Sequence, residues 1–136
     1  MDDALVAAYR RTEYRVDDRG YAFVLRIDEA SDALRECHAA FGVHCSTFIT
    51  AWNPRSTPTP RADNEAAMKR LEQALAELGC RWLQGEGVDP DGDWPGEPSV
   101  LALGLDKAPA VALARRFDQN AIVWSGADAT PRLVVV

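Results

Sequence analysis

At 136 residues, with 47% hydrophobic and 26% charged side chains, the chain suits one soluble domain that needs no disulfide staple to bury its core. The formal charge is −6, and the basic residues are scattered, in pairs at most (Arg10, Arg11, Arg55, Arg61, Arg115, Arg116), which argues against a nucleic-acid partner. Cys37, Cys45 and Cys80 form no C-x-x-C pair, so structural zinc is not expected and a reducing cytoplasm is; no apolar run approaches the ~20 residues of a membrane span, and the N-terminus MDDALVAAYRR lacks a signal-peptide core.

The first segment, Asp3 to Arg11, places Leu5, Val6 and Tyr9 on one helical face behind an acidic start. Thr12–Val16 and Tyr21–Ile27 are strand-like runs joined by the hairpin signal Asp17-Asp18-Arg19-Gly20. A second helix is predicted over Ser31–Phe41, with Leu34, Cys37, His38 and Phe41 inward and Gly42 as its stop. Cys45–Trp52, rich in β-branched and aromatic residues, reads as a central strand. It ends in the proline-stiffened Asn53–Pro60. A long helix follows over Pro60–Leu78, capped by Thr59, with Met68, Leu71, Leu75 and Leu78 at helical spacing and Gly79 closing it.

Cys80–Gln84 is a short strand, and Ser99–Leu105 reads as a buried one. Asp106 caps a helix to Phe117 that turns Ala110, Leu113, Ala114 and Phe117 inward. Ala121–Trp124 and Leu133–Val136 close the chain as a hairpin. The expected fold is a single α/β domain with α+β character over residues 1–136. It has one mixed β-sheet of about five to seven strands, with hairpins at its ends, covered by about four helices. Leu71, Leu75, Phe48, Ile49, Leu101 and Val123 are expected in one shared core.

Three loops carry the candidate chemistry. Trp52-Asn53-Pro54-Arg55-Ser56 leaves the carboxyl end of the central strand, where ligands tend to bind in open sheets. Arg55 can clamp an anion there, beside the N-terminus of the next helix; the plain alternative is a rigid Asn-Pro turn with a solvated arginine. The second loop, Gly85–Ser99, packs five carboxylates, four glycines and three prolines around Trp94. Asp89, Asp91 and Asp93 alternate as in calcium loops, but counting from Asp89 puts Trp94 at position six and Val100 at position twelve, which excludes an EF-hand. A divalent-metal site from Glu86, Asp89 and Glu97 is a minor alternative, and no metal or other cofactor is the main expectation. The third loop, Phe117-Asp118-Gln119-Asn120, sets two amides between a helix and a strand, either to orient a ligand or to form a C-cap.

Nucleophilic catalysis has little support. There are two histidines and no G-x-S-x-G elbow, and His44 and Cys45, adjacent on a strand, point to opposite faces.

Taken together, FITAWNPRS at Phe48–Ser56, Asn64, Gly85-Glu86-Gly87 through Asp89-Pro90, Trp94, Gly96-Glu97, and Ala114-Arg115-Arg116-Phe117 with Gln119–Trp124 resemble the bacterial family catalogued as domain of unknown function 3293. The likeness runs from about Tyr9 to Val135. Asp118 departs from it, standing where a small residue, often glycine, is expected. The resemblance implies a cytoplasmic bacterial setting and that the three loops belong together; it implies no activity, cofactor or catalytic residue.

The leading expectation is therefore a binding module for a small anionic or polar ligand, with Trp52, Asn53, Arg55, Asn64, Glu86, Trp94, Glu97, Gln119 and Asn120 as ligand-binding candidates. Arg55, Glu86, Trp94 and Gln119 are expected to border one concavity. The alternatives are an enzyme acting on an anionic, phosphate- or carboxylate-bearing substrate, with Glu86 or Asp89 as general base, and an adaptor or regulator for a protein partner.

Overall fold

The structure, a computed structural model, describes residues 1–136. Its elements follow the predicted order: α1 (Asp3–Arg11), β1 (Glu13–Asp18), β2 (Tyr21–Leu25), α2 (Asp32–Phe41), β3 (Ser46–Ile49), a single 3-10 turn at Pro54–Ser56, α3 (Arg61–Glu77), β4 (Arg81–Val88), β5 (Glu97–Leu103), α4 (Lys107–Arg116), β6 (Ala121–Ser125) and β7 (Pro131–Val135). Local chemistry sets many of the boundaries. Asp2 and Ser31 cap α1 and α2 through their side chains, accepting from the N–H of Leu5 (2.7 Å) and Leu34 (3.1 Å). Gly42 and Gly79 take left-handed φ of 67° and 69° just past α2 and α3. Arg19 and Gly20, both at positive φ, form the two-residue turn between β1 and β2. Two expected caps differ. Pro60, not Thr59, holds the N-cap position of α3, and Asp106 caps nothing with its carboxylate, which instead accepts from the Cys45 thiol.

All seven strands form one sheet in the order β2-β1-β4-β5-β3-β6-β7, and every pairing is antiparallel. The fold class, strand number and helix count are as expected, but the sheet is not mixed. The crossovers β3–α3–β4 and β5–α4–β6 do join strands of like direction, yet an antiparallel strand fills each gap, β5 in the first and β3 in the second. The sheet also curls into a half-barrel. The segment after edge strand β2 reaches the start of edge strand β7, where the Asp28 N–H donates to the Pro131 carbonyl at 2.7 Å.

Curling gives the sheet an inner and an outer face, and its alternating side chains build two cores. On the outer face Ile49, Val100, Ala102 and Ile122 meet Leu71 and Leu75 of α3 and Leu113 of α4. On the inner face Phe48, Leu83, Leu101 and Val123 meet Leu34 and Cys37 of α2. The six residues expected in one core thus divide three and three, because neighbours such as Phe48 and Ile49 point to opposite sides. Leu78, expected inside, is 57% exposed beyond the end of α3. The expected fifteen-residue loop Gly85–Ser99 is shortened to a hairpin turn of residues 89–96, its two ends belonging to strands β4 and β5. No helix is long and apolar enough to cross a membrane.

Candidate functional site

Antiparallel pairing sets the carboxyl ends of β3 and β4 beside the amino ends of β1, β5 and β6. The loops following Trp52, Val88 and Phe117, together with the end of α1, therefore meet at one end of the half-barrel. There the inner face is not filled by a helix but opens into a cleft of about 650 Å³, within the usual range for small-molecule sites. Its floor is the sheet: Tyr14, Gly87, Glu97, Ser99, Phe48 and Val123 all face it. Leu5, Ala8 and Tyr9 of α1 form one wall, Trp52–Thr59 contribute the opposite wall, and Trp94, Pro95 and Gly96 form the rim. No residue of α1 is fully buried, because its apolar stripe overlooks the cleft rather than a packed layer.

Two glycines on β4 shape the floor. Tyr14 on β1 and Phe48 on β3 are separated by two strands, or about 14 Å in a flat sheet. Their rings nevertheless meet edge to face at a centroid distance of 5.2 Å. Gly85 lies beneath this contact: a β-carbon on it would fall 2.9 Å from the Phe48 ring and 2.5 Å from the Arg15 carbonyl oxygen. Gly87, on the same face two residues on, would meet nothing closer than the Thr12 methyl at 3.8 Å. One glycine permits a close approach, and the other leaves open floor.

The wall loop is held rigidly in an uncommon conformation. Asn53, Arg55 and Ser56 all have positive φ, between 47° and 57°, and such residues are costly unless their surroundings hold them. Asn64, 1% exposed, does so. Its Oδ1 accepts from the Asn53 N–H (2.8 Å), and its Nδ2 donates to Asn53 Oδ1 (2.9 Å) and the Thr59 carbonyl (3.2 Å). The third loop closes the other side: the Arg55 N–H donates to the Asp118 carbonyl (2.7 Å), Gln119 Nε2 to the Trp52 carbonyl (3.3 Å) and Asn120 Nδ2 to Ser56 Oγ (3.0 Å). Asp118 has φ 54°, which explains why glycine suits this position. The three loops expected to belong together do adjoin, since Asn53 Nδ2 also reaches Glu97 Oε1 of the hairpin at 3.3 Å.

Of the candidate ligand residues, Trp52, Asn53, Asn64, Trp94, Glu97 and Gln119 line the cleft, whereas Arg55, Glu86 and Asn120 do not. The expected four-residue concavity therefore contains Trp94 and Gln119 only. Arg55, with its side chain 77% exposed, pairs with Asp118 (3.3 Å) beside a separate shallow depression shared with Asn120. Glu86 alternates with Gly87 and so points to the outer side, exposed, its carboxylate against Gly96. Asp89 has a fully buried side chain that accepts from the Asp91 N–H (3.1 Å) and the Asp93 N–H (2.9 Å), organising the hairpin turn. The carboxylates whose oxygens lie within 4.8 Å of one another are Asp89, Asp91 and Asp93, so Glu86 and Glu97 do not join Asp89 there.

Several cleft residues were not anticipated: Tyr9 on its α1 wall, and Tyr14, Gly87, Thr50 and Ser99 on its floor. The glycine pair flanking Glu86 inside a strand was the available signal, since glycine in a strand marks close approach or open space. The charged groups of the cleft are few. Glu97 sits partly buried on the floor, and burial raises its pKa above the ordinary carboxylate value while the Asn53 bond opposes the rise. Arg61 stands at the mouth, 84% exposed and paired with Glu65. Burial also raises the phenols of Tyr9 and Tyr14.

Nucleophiles elsewhere are muted. Burial and Asp106 push the Cys45 thiol up to about 11, the opposite of thiolate activation. His38 Nε2 and Ser46 Oγ are 2.7 Å apart, but both are buried away from the cleft.

Residues 49–122 match the family model described as "Protein of unknown function (DUF3293)". The match spans more than half of the 136 residues, and the chain belongs to this family. No curated protein and no solved structure matches it.

Proposed function

We propose that this member of the DUF3293 family is a binding module for one small polar ligand, held in the cleft at the loop end of the half-barrel. The supporting observation is a preformed cavity of about 650 Å³ whose aromatic side chains (Tyr9, Tyr14, Trp52, Trp94) surround a few hydrogen-bonding groups (Asn53, Ser99, Gln119) and one carboxylate, Glu97. Apolar walls with sparse, placed polar groups are the composition of small-molecule sites. Such a cleft favours a polar ligand over an anionic one: its only cationic side chain, Arg61, is at the mouth and already paired. A catalytic version would have to take its base from Glu97, the one cleft carboxylate, rather than from Glu86 or Asp89. A bacterial cytoplasmic setting is part of the same proposal, supported by the family resemblance and by three free cysteines, two of them buried.

The test uses a variant that fills the cleft from its floor. Leucine at position 87 has room for its β-carbon and projects into the cavity. A panel of nucleotides, sugar phosphates, amines, amino acids and short peptides is screened by thermal shift. A true ligand raises the melting temperature of the native chain and leaves that of Gly87→Leu unchanged. Silence across the panel, or equal shifts in both proteins, refutes the proposal.

A further inference from the structure

Resting on the binding module just described, we infer that the cleft selects a small organic cation, a primary amine or guanidinium on an apolar body, with Glu97 as its counter-ion and Tyr9, Tyr14 and Trp94 as its aromatic surround. Glu97 is the only acidic residue lining the cavity. It belongs to none of the molecule's ion pairs. Oε1 accepts from neutral Asn53 Nδ2 at 3.3 Å, and no hydrogen bond from the protein reaches Oε2. One oxygen of a partly buried carboxylate is thus left without a protein partner at a cavity floor.

The three ligand charge classes fare differently against this floor. An anion would face Glu97, and the cations near it, Arg61 at the mouth and Arg11 at the edge, are already paired with Glu65 and Asp89. A neutral ligand that displaced water would leave an ionised oxygen desolvated without compensation, which is costly. A cation removes that cost and adds a charge-assisted hydrogen bond. The phenol of Tyr14 is already committed, donating to the Tyr9 carbonyl at 2.6 Å, so this ring contributes its face and edge rather than a competing donor. Aromatic faces attract cations most strongly where water is excluded. The same affinity is visible at the cleft edge, where the Arg11 guanidinium lies 5.1 Å from the Trp94 ring centre. The protein's formal charge of −6 favours the approach of cations from solution.

Three probes of similar size separate these classes: 3-phenylpropylamine, 3-phenyl-1-propanol and 3-phenylpropanoate, each titrated into the intact chain by heteronuclear NMR. The amine is expected to bind about tenfold or more tightly than the alcohol, with the propanoate weakest and the shifts centred on Tyr14, Trp94 and Glu97. Glu97→Gln keeps an oxygen for Asn53. It should cancel the amine's advantage from both sides, weakening the amine and tightening the alcohol, which no longer buries an ionised oxygen. An amine no tighter than the alcohol, or an advantage that survives Glu97→Gln, overturns the inference; if Gly87→Leu still abolishes binding of the alcohol, the binding module itself stands. Absence of cleft shifts with all three probes overturns both.

Discussion

Gly85 and Gly87 lie two residues apart on the same face of the same strand, yet alanine should affect them in opposite directions. A methyl on Gly85 would sit 2.5 Å from the Arg15 carbonyl oxygen and 2.9 Å from the Phe48 ring, against the 3.5–4.0 Å of an ordinary carbon contact. The oxygen belongs to the β1–β4 ladder and cannot swing away without opening it, and the Phe48 ring is held edge-on by Tyr14. Overpacking of this kind costs up to about 3 kcal/mol. The smaller backbone entropy of alanine returns roughly 0.5–1 kcal/mol, leaving a net loss of about 2 kcal/mol. Gly87→Ala meets only the Thr12 methyl at 3.8 Å and should keep the entropy gain, stabilising by about 0.5 kcal/mol. Urea unfolding followed by tryptophan fluorescence reads both, with an unchanged slope and shifted midpoints; Gly85→Ala should also lower the melting temperature by about 6–8 °C. A Gly85→Ala protein within 0.5 kcal/mol of the native one, or a Gly87→Ala protein destabilised equally, would show that the inner face is not packed as described.

Leu75, 0% exposed in the outer core, should lose about 2–5 kcal/mol on truncation to alanine by urea unfolding; a loss below about 1 kcal/mol would mean that α3 does not pack there. Arg55→Gly should change stability by less than about 1 kcal/mol, since an exposed ion pair is worth little and glycine relieves a φ of 57°; it should also leave ligand binding intact, whereas lost binding would return Arg55 to the site. Burial raises the pKa of Glu97 above its ordinary 4.5, so the folded state holds that proton more tightly than the unfolded chain. Stability then falls as pH rises from 4.5 through the raised value. Compared with the native protein, Glu97→Gln should be equally stable below that interval and more stable above it by chemical denaturation; a constant difference across pH would contradict the assignment.

Much of this molecule was legible along the chain because the information is local. Helix starts at Asp2 and Ser31, stops at Gly42 and Gly79, and the Arg19-Gly20 turn each depend on residues within a few positions, so the element order could be read correctly. The loops carrying Trp52, Asn53, Trp94, Glu97 and Gln119 were also marked, since proline, glycine and paired amides between apolar runs have few structural uses. Strand partnership is different. That β5 inserts between β4 and β3, making the sheet antiparallel throughout, depends on which apolar faces meet after collapse, and no local pattern encodes it. Side-chain facing is just as sensitive: the two-residue period turns Gly87 and Glu97 onto the cleft floor while Glu86 points away, and a single step in register reverses such an assignment. The close approach of Tyr14 and Phe48 across two strands exists only because the sheet curls over Gly85. Sequence determined which segments would be rigid and which would be loops; only the tertiary structure decided which side chains share a cavity, because that requires residues distant in the chain to be placed within a few ångströms of one another.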